Sequence, residues 1–189
     1  SDEIHWYLAL GGREHTTMGQ FPQLYEHMVV CISCSKSFNV AGLDTSNLII
    51  PGEKIRQTFR DYLFARYLFC PNTLGMVAAQ AAYQGGEDWL EEALEYLTAN
   101  AKAVQDFMAQ SLPKVKVAEP EGTFLLWFDM RAYGLSSEEL VKRIADAGAG
   151  LNAGSHYGAG YDGFVRMNIA CPRRQLMAGL ECVKRALEG

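Results

Sequence analysis

No stretch of this sequence is apolar for long enough to cross a bilayer as a helix, so there is no membrane span to place. Basic runs are missing as well. The 17 lysines and arginines stand against 22 acidic side chains, for a net charge of -5, and nucleic acid is not an expected partner. Cysteine is sparse and odd in number: Cys31, Cys34, Cys70, Cys171 and Cys182. A scattered set of this kind makes no disulfide framework. Cys31 and Cys34 have CxxC spacing, but no second ligand pair or helix start accompanies them, and they read as buried thiols in a reducing cytoplasm. His27 and His156 lack partners at metal-ligand spacing, so no metal is expected. There is no internal repeat, no low-complexity linker, no initiator Met and no signal-like apolar segment. The opening Ser1-Asp2-Glu3-Ile4-His5 reads as the continuation of a longer chain.

What is present is an ordinary globular composition. Hydrophobic residues make up 49%, aromatics 11% and charged residues 21%, enough for one sizeable core or two small ones. Residues 28–32 and 47–50 are short runs apolar on both faces, which predict a parallel sheet covered by helices. Residues 53–67 and 73–82 read as helices. The clearest helix covers 87–112, where Trp89, Leu90, Ala93, Leu94, Leu97, Ala101, Val104, Phe107 and Met108 recur at helical spacing behind an acidic first turn.

Residues 115–117 and 123–129 read as strands. Ser136-Ser137-Glu138-Glu139 is a capping box that opens a helix ended by Gly148 and Gly150. Along 164–169, Val165, Met167 and Ile169 alternate with Phe164, Arg166 and Asn168, a strand with one buried face. A closing helix follows Pro172 and carries Leu176, Leu180, Val183 and Leu187. The fold class is α/β. Residues 1–75 form the tail of a larger α/β domain, and 76–189 form a long connecting helix with a smaller α+β domain.

Lys36 directly follows the first apolar run, among Ser33, Ser35 and Ser37. A lysine at the end of a buried strand is suited to Schiff-base chemistry, because desolvation lowers an amine's pKa and frees it to attack an aldehyde. Hydroxyls beside it can donate to a phosphate. On residue type alone, a solvated lysine is the commoner outcome.

The surrounding string is more specific. Ser33-Cys34-Ser35-Lys36-Ser37-Phe38-Asn39-Val40-Ala41-Gly42-Leu43 resembles the cofactor-lysine motif of fold-type I pyridoxal-phosphate (PLP) enzymes of the class I/II aminotransferase group. Asp2-Glu3-Ile4-His5 resembles that group's Asp-Glu-x-Tyr segment, with His5 in the tyrosine slot. That histidine matches the cystathionine β-lyase (C–S lyase) branch, which includes the maltose-regulon-modulator type. Residues 81–90, 121–131 and 163–173 resemble further segments of the branch, in order along nearly the whole chain.

The resemblance implies the C-terminal half of a PLP-dependent carbon–sulfur lyase, cytoplasmic and homodimeric when complete, acting on a small amino-acid substrate. It implies that Lys36 holds PLP as a Schiff base and then acts as general base. Asp2 would pair with the pyridine nitrogen, His5 with the ring hydroxyl, Ser33 and Ser35 with the phosphate, and Arg166 with the substrate carboxylate. An aminotransferase would use the same residues, and a non-catalytic fragment with an interaction role is the reading from another class. Asp44 departs from the group, many of whose members carry arginine eight residues after the lysine. A phosphate loop, a ring-stacking aromatic and an asparagine are implied upstream, so that residues 1–189 alone are expected to be poorly active. His15 is expected near the site's mouth, and Tyr157 and Tyr161, between glycines, read as a mobile loop before Arg166.

Overall fold

Some helices in this chain begin where a side chain is at hand to satisfy their first amides. The computed structural model describes residues 1–188; Gly189, the last residue of the expected second domain, lies outside them. The helices are α1 (Glu53–Ala65), α2 (Thr73–Gly85), α3 (Glu87–Ser111), α4 (Ser137–Asp146) and α5 (Arg173–Glu188). Asn72 caps α2 by accepting from the Leu74 amide at 3.0 Å, and its own amide donates to the Leu43 carbonyl at 3.0 Å. Ser136 and Glu139 form the expected capping box on α4.

The chain divides into two compact units, 1–94 and 95–189, with the division inside α3. The sequence placed a boundary at 75/76. A helix that keeps its period from end to end gives no local signal of where one unit yields to the next.

In the first unit β1 (Val30–Ile32) pairs with β2 (Asn47–Ile49), Cys31 opposite Leu48. Their antiparallel pairing differs from the parallel sheet that the apolar runs predict. Among the described residues, the parallel pairing in this unit is the bridge between Asp2 and Cys31. A run apolar on both faces reports burial and says nothing of strand direction. The core here holds Leu8, Leu10, Met28, Val30, Cys34 and Ala79, each no more than 9% exposed. Between the strands the chain turns through Asn39 (φ 54°) and Asp44 (φ 46°), residue types that tolerate the left-handed region.

The second unit is a four-stranded antiparallel sheet in the order β3-β4-β6-β5, formed by Lys116–Val117, Leu125–Asp129, Phe164–Asn168 and Asn152–Ala153 respectively. Alternation holds on both long strands. Leu126, Phe128, Val165 and Met167 are buried, as are Val104 and Met108 of α3, Leu140 and Ile144 of α4, and Leu176, Leu180 and Val183 of α5. The outer face carries Leu125 and Trp127 of β4 and Phe164 and Arg166 of β6.

Asn100 is the polar residue that joins this core to the start of α5. It is fully buried, donates to the Ile169 and Cys171 carbonyls at 2.9 and 3.0 Å, and accepts from Arg173 Nε at 2.7 Å. Asn100→Leu removes those three bonds, although the Ile169 carbonyl keeps the Cys171 amide at 2.9 Å. It is expected to lower unfolding free energy by about 2 kcal/mol, measured as a fall in urea midpoint at unchanged m-value.

Candidate active site

The turn that follows β1 is built from its own hydroxyls. Ser33 Oγ donates to the Thr45 carbonyl at 2.6 Å and accepts from the Ser35 amide at 3.0 Å. The Phe38 and Val40 amides close back on the Cys34 and Ser35 carbonyls at 2.9 and 3.0 Å. Ser33, Ser35 and Ser37 are all buried, and the Ser37 hydroxyl has no hydrogen-bond partner among the described residues. A buried hydroxyl left unpaired costs free energy unless something else satisfies it. Lys36 stands between them, half-buried, in the same turn.

Phe38 anchors the turn. Its ring stacks on Trp89 at 5.9 Å and meets Tyr7 and Tyr83 edge-on at 6.3 and 6.4 Å. Trp89 is half-exposed, so it acts through this stack rather than as part of the buried helical stripe. Burial, with Cys34 and Tyr7 nearby, pushes the Tyr83 phenol above its ordinary pKa.

Asp2 lies beside β1. The Cys31 amide donates to the Ser1 carbonyl and the Glu3 amide to the Cys31 carbonyl, both at 2.8 Å, while Asp2 Oδ1 accepts from the Ile4 amide at 3.1 Å. Asp2 is exposed and His5 half-buried. These bonds place Asp2 beside the strand whose exit carries Lys36.

Glu3 was not singled out by the sequence reading. Its carboxylate is 5% exposed and accepts from His15 Nε2 at 2.9 Å, the Met18 amide at 2.8 Å and Ser1 Oγ at 3.0 Å. Burial alone would raise its pKa, but these donors and Thr17 together hold it at about 2. His15 is thereby tied to the strand segment. A cleft of about 480 Å³ is lined by Glu3, Trp6, Tyr7, Arg13 and His15 with residues of β1 and β2; Lys36 is not among its lining residues. The signal for Glu3 was an acid between Asp2 and Ile4, which by itself does not separate a loop anchor from a surface carboxylate.

In the second unit Arg166 projects from the outer face of β6, opposite Trp127 on one side and Asn152 on the other. Its Nη2 donates to Asn152 Oδ1 at 3.2 Å, its guanidinium lies 4.7 Å from the Tyr157 ring, and its Nε is buried without a hydrogen-bond partner among the described residues. Asp129, the carboxylate on the same face, is taken by Arg131 at 2.8 and 3.0 Å, a pairing that holds the Asp129 pKa at about 2. The expected mobile loop is two 3-10 turns, Gly154–Tyr157 and Ala159–Tyr161, fastened to the start of α4. Ser155 donates to Glu138 at 2.7 Å, and Asp162 accepts from the Ser137 amide at 2.7 Å. Among the described residues no group of three or more acidic, histidine or cysteine side chains is placed to hold a metal, and no helix is long and apolar enough to cross a membrane.

The family model for class I and II aminotransferases matches residues 1–182. Cystathionine β-lyase PatB of Bacillus subtilis is 39% identical over 189 residues, covering 99% of this chain and 49% of that protein. Protein MalY of Escherichia coli is 31% identical over 182 residues, covering 95% of this chain and 46% of its own. Cystalysin of Treponema denticola, solved with a pyridoxal 5'-phosphate cofactor, superposes with a TM-score of 0.94 at 33% identity, covering 100% of this chain and 48% of the cystalysin chain. The chain therefore spans about half the length of the relatives it matches. With the match running from the Asp2 segment through the Lys36 turn to the Arg166 strand, the chain belongs to the class I and II aminotransferase family.

Proposed function

We propose that this chain is part of a PLP-dependent carbon–sulfur lyase that eliminates the sulfur of cystathionine or cysteine as a thiol, leaving pyruvate and ammonia. The observation that carries the reading is Lys36, half-buried in a turn of buried serines, one of them with an unsatisfied hydroxyl, in a chain 39% identical to a cystathionine β-lyase. The residues present fit the cofactor. The Ser37 hydroxyl and buried Ser35 offer donors to a phosphate, and Asp2 offers a carboxylate beside the strand that leads to Lys36. Ser33 gives its proton to Thr45, so any share it has in the phosphate is as part of the turn.

Bound PLP supplies the electron sink that makes loss of the substrate Cα proton feasible. Lys36 would hold the cofactor, and its Nζ would serve as the base that takes that proton. Asp2 would pair with the pyridine nitrogen and keep it protonated, and His5 would pair with the ring hydroxyl. Arg166 grips the substrate carboxylate through its planar fork. The same resemblance carries a homodimeric, cytoplasmic enzyme with it.

The test is to incubate the full-length protein with L-cystathionine. Pyruvate and thiol in equal amounts are expected. Keto-acid and amino-acid exchange without pyruvate would make it an aminotransferase, and failure to take up PLP on titration would leave only an interaction role.

A further inference from the structure

Arginine's fork has value only where it is held. An arginine carries several rotatable bonds, and ordering them consumes part of the energy of any contact made later. In the second unit Arg166 has two neutral holders. Asn152 on β5, directly across the ladder, accepts from Nη2 at 3.2 Å. Tyr157 covers the guanidinium with its ring at 4.7 Å. Tyr157 is itself held, because Trp127 meets it edge-on at 5.6 Å. Its loop is fixed at one end by Ser155 to Glu138 and at the other by Asp162 to Ser137. Gly154, at the base, has no space for a side chain: a Cβ there would meet the Tyr161 carbonyl and Phe164.

Among the described residues of this unit no carboxylate is paired with the fork. Asp129 is taken by Arg131, and Arg166 Nε is buried with no hydrogen-bond partner among the described residues. The result is an ordered cation with no counter-charge among the described residues of its unit.

We infer that Asn152 and Tyr157 are positioning residues for carboxylate recognition, setting the orientation of Arg166 before substrate arrives. The inference rests on the reading of Arg166 as the carboxylate receptor. Asn152 supplies an acceptor without charge, so it orients the fork and does not neutralise it. Tyr157 supplies a π-face, so the ring matters and the hydroxyl does not.

The experiment uses the full-length PLP-loaded protein and two probes that differ by one carboxylate, glycine and methylamine. Neither has a group at Cβ to eliminate, so the readout is the equilibrium dissociation constant from the cofactor's absorbance change. Arg166→Lys is expected to weaken glycine at least tenfold, since one of two charge-assisted hydrogen bonds is lost, roughly tenfold or more in affinity. Tyr157→Leu is expected to weaken glycine about fivefold and Tyr157→Phe hardly at all, as a cation–π contact predicts. Asn152→Ala is expected to weaken it about threefold, and Asn152→Asp more than tenfold, because a carboxylate there pairs with the fork.

Methylamine binding is expected to stay unchanged in every variant, which a merely structural role would not allow. If Arg166→Lys weakens glycine while Asn152→Ala and Tyr157→Leu leave it unchanged or tighter, or shift methylamine equally, the positioning inference falls and the reading of Arg166 stands. If Arg166→Lys leaves glycine unchanged, that reading falls and takes the inference with it.

Discussion

Lys36→Arg is expected to reduce turnover of the full-length enzyme by about 10⁴-fold, which combines loss of the covalent cofactor link with loss of the general base. Arginine preserves the positive charge and much of the length, but its guanidinium does not deprotonate in proteins and so can neither form the link nor accept the Cα proton. Charge alone therefore rescues nothing. The Ser33–Thr45 and Phe38–Trp89 contacts that shape the turn do not involve Lys36, so the variant is expected to fold. Borohydride reduction of the wild-type protein followed by peptide mapping should place the pyridoxyl group on Lys36. A label on Lys54 or Lys114 instead would remove Lys36 from the mechanism.

Glu3→Leu is expected to destabilise the protein by about 3 kcal/mol at neutral pH, the largest stability effect of any single change considered. Leucine leaves the Met18 amide, Ser1 Oγ and His15 without their acceptor in a place that is 5% exposed. The pH dependence separates this from a packing defect. The folded-state pKa is about 2 against an ordinary 4.5. A depressed carboxylate pKa adds stability above the unfolded value and loses it as pH falls through the folded one. Wild-type minus Glu3→Gln stability should then be constant above about pH 5 and shrink steadily toward pH 2. Urea midpoints across that range measure it; a difference that stays flat to pH 2 would show that the carboxylate charge is not what holds the loop.

The helices were legible because caps and periodicity are local. The Ser136–Glu139 box, the acidic start of α3 and the alternation along 164–169 all sit within a few residues of the structure they dictate. Strand direction was not legible, since β1 and β2 read the same whether parallel or antiparallel, and β5, of two residues, is too short for any period. Lys36 and Arg166, the residues proposed to act, stand out in the sequence through their motifs. Glu3 and Asn152 do not, because each is defined by what it meets 12 to 15 residues away: His15 and Met18 for the one, Arg166 for the other. Tyr157 was read as part of a mobile loop because its flanking glycines are visible in sequence, and the Ser155 and Asp162 anchors that fix that loop are side-chain contacts to α4.

The place of β6 in its sheet has a further consequence. Order β3-β4-β6-β5 gives the Arg166 strand a hydrogen-bonded neighbour on each side. Amide protons of an edge strand exchange with solvent through fraying, whereas those of an inner strand wait for the whole unit to open. The backbone beneath Arg166 therefore belongs to the slowest-exchanging part of its unit. Carboxylate recognition by Arg166, as proposed, would then rest on a strand that stays closed until the unit opens, so that the arginine's backbone does not adjust to different amino acids.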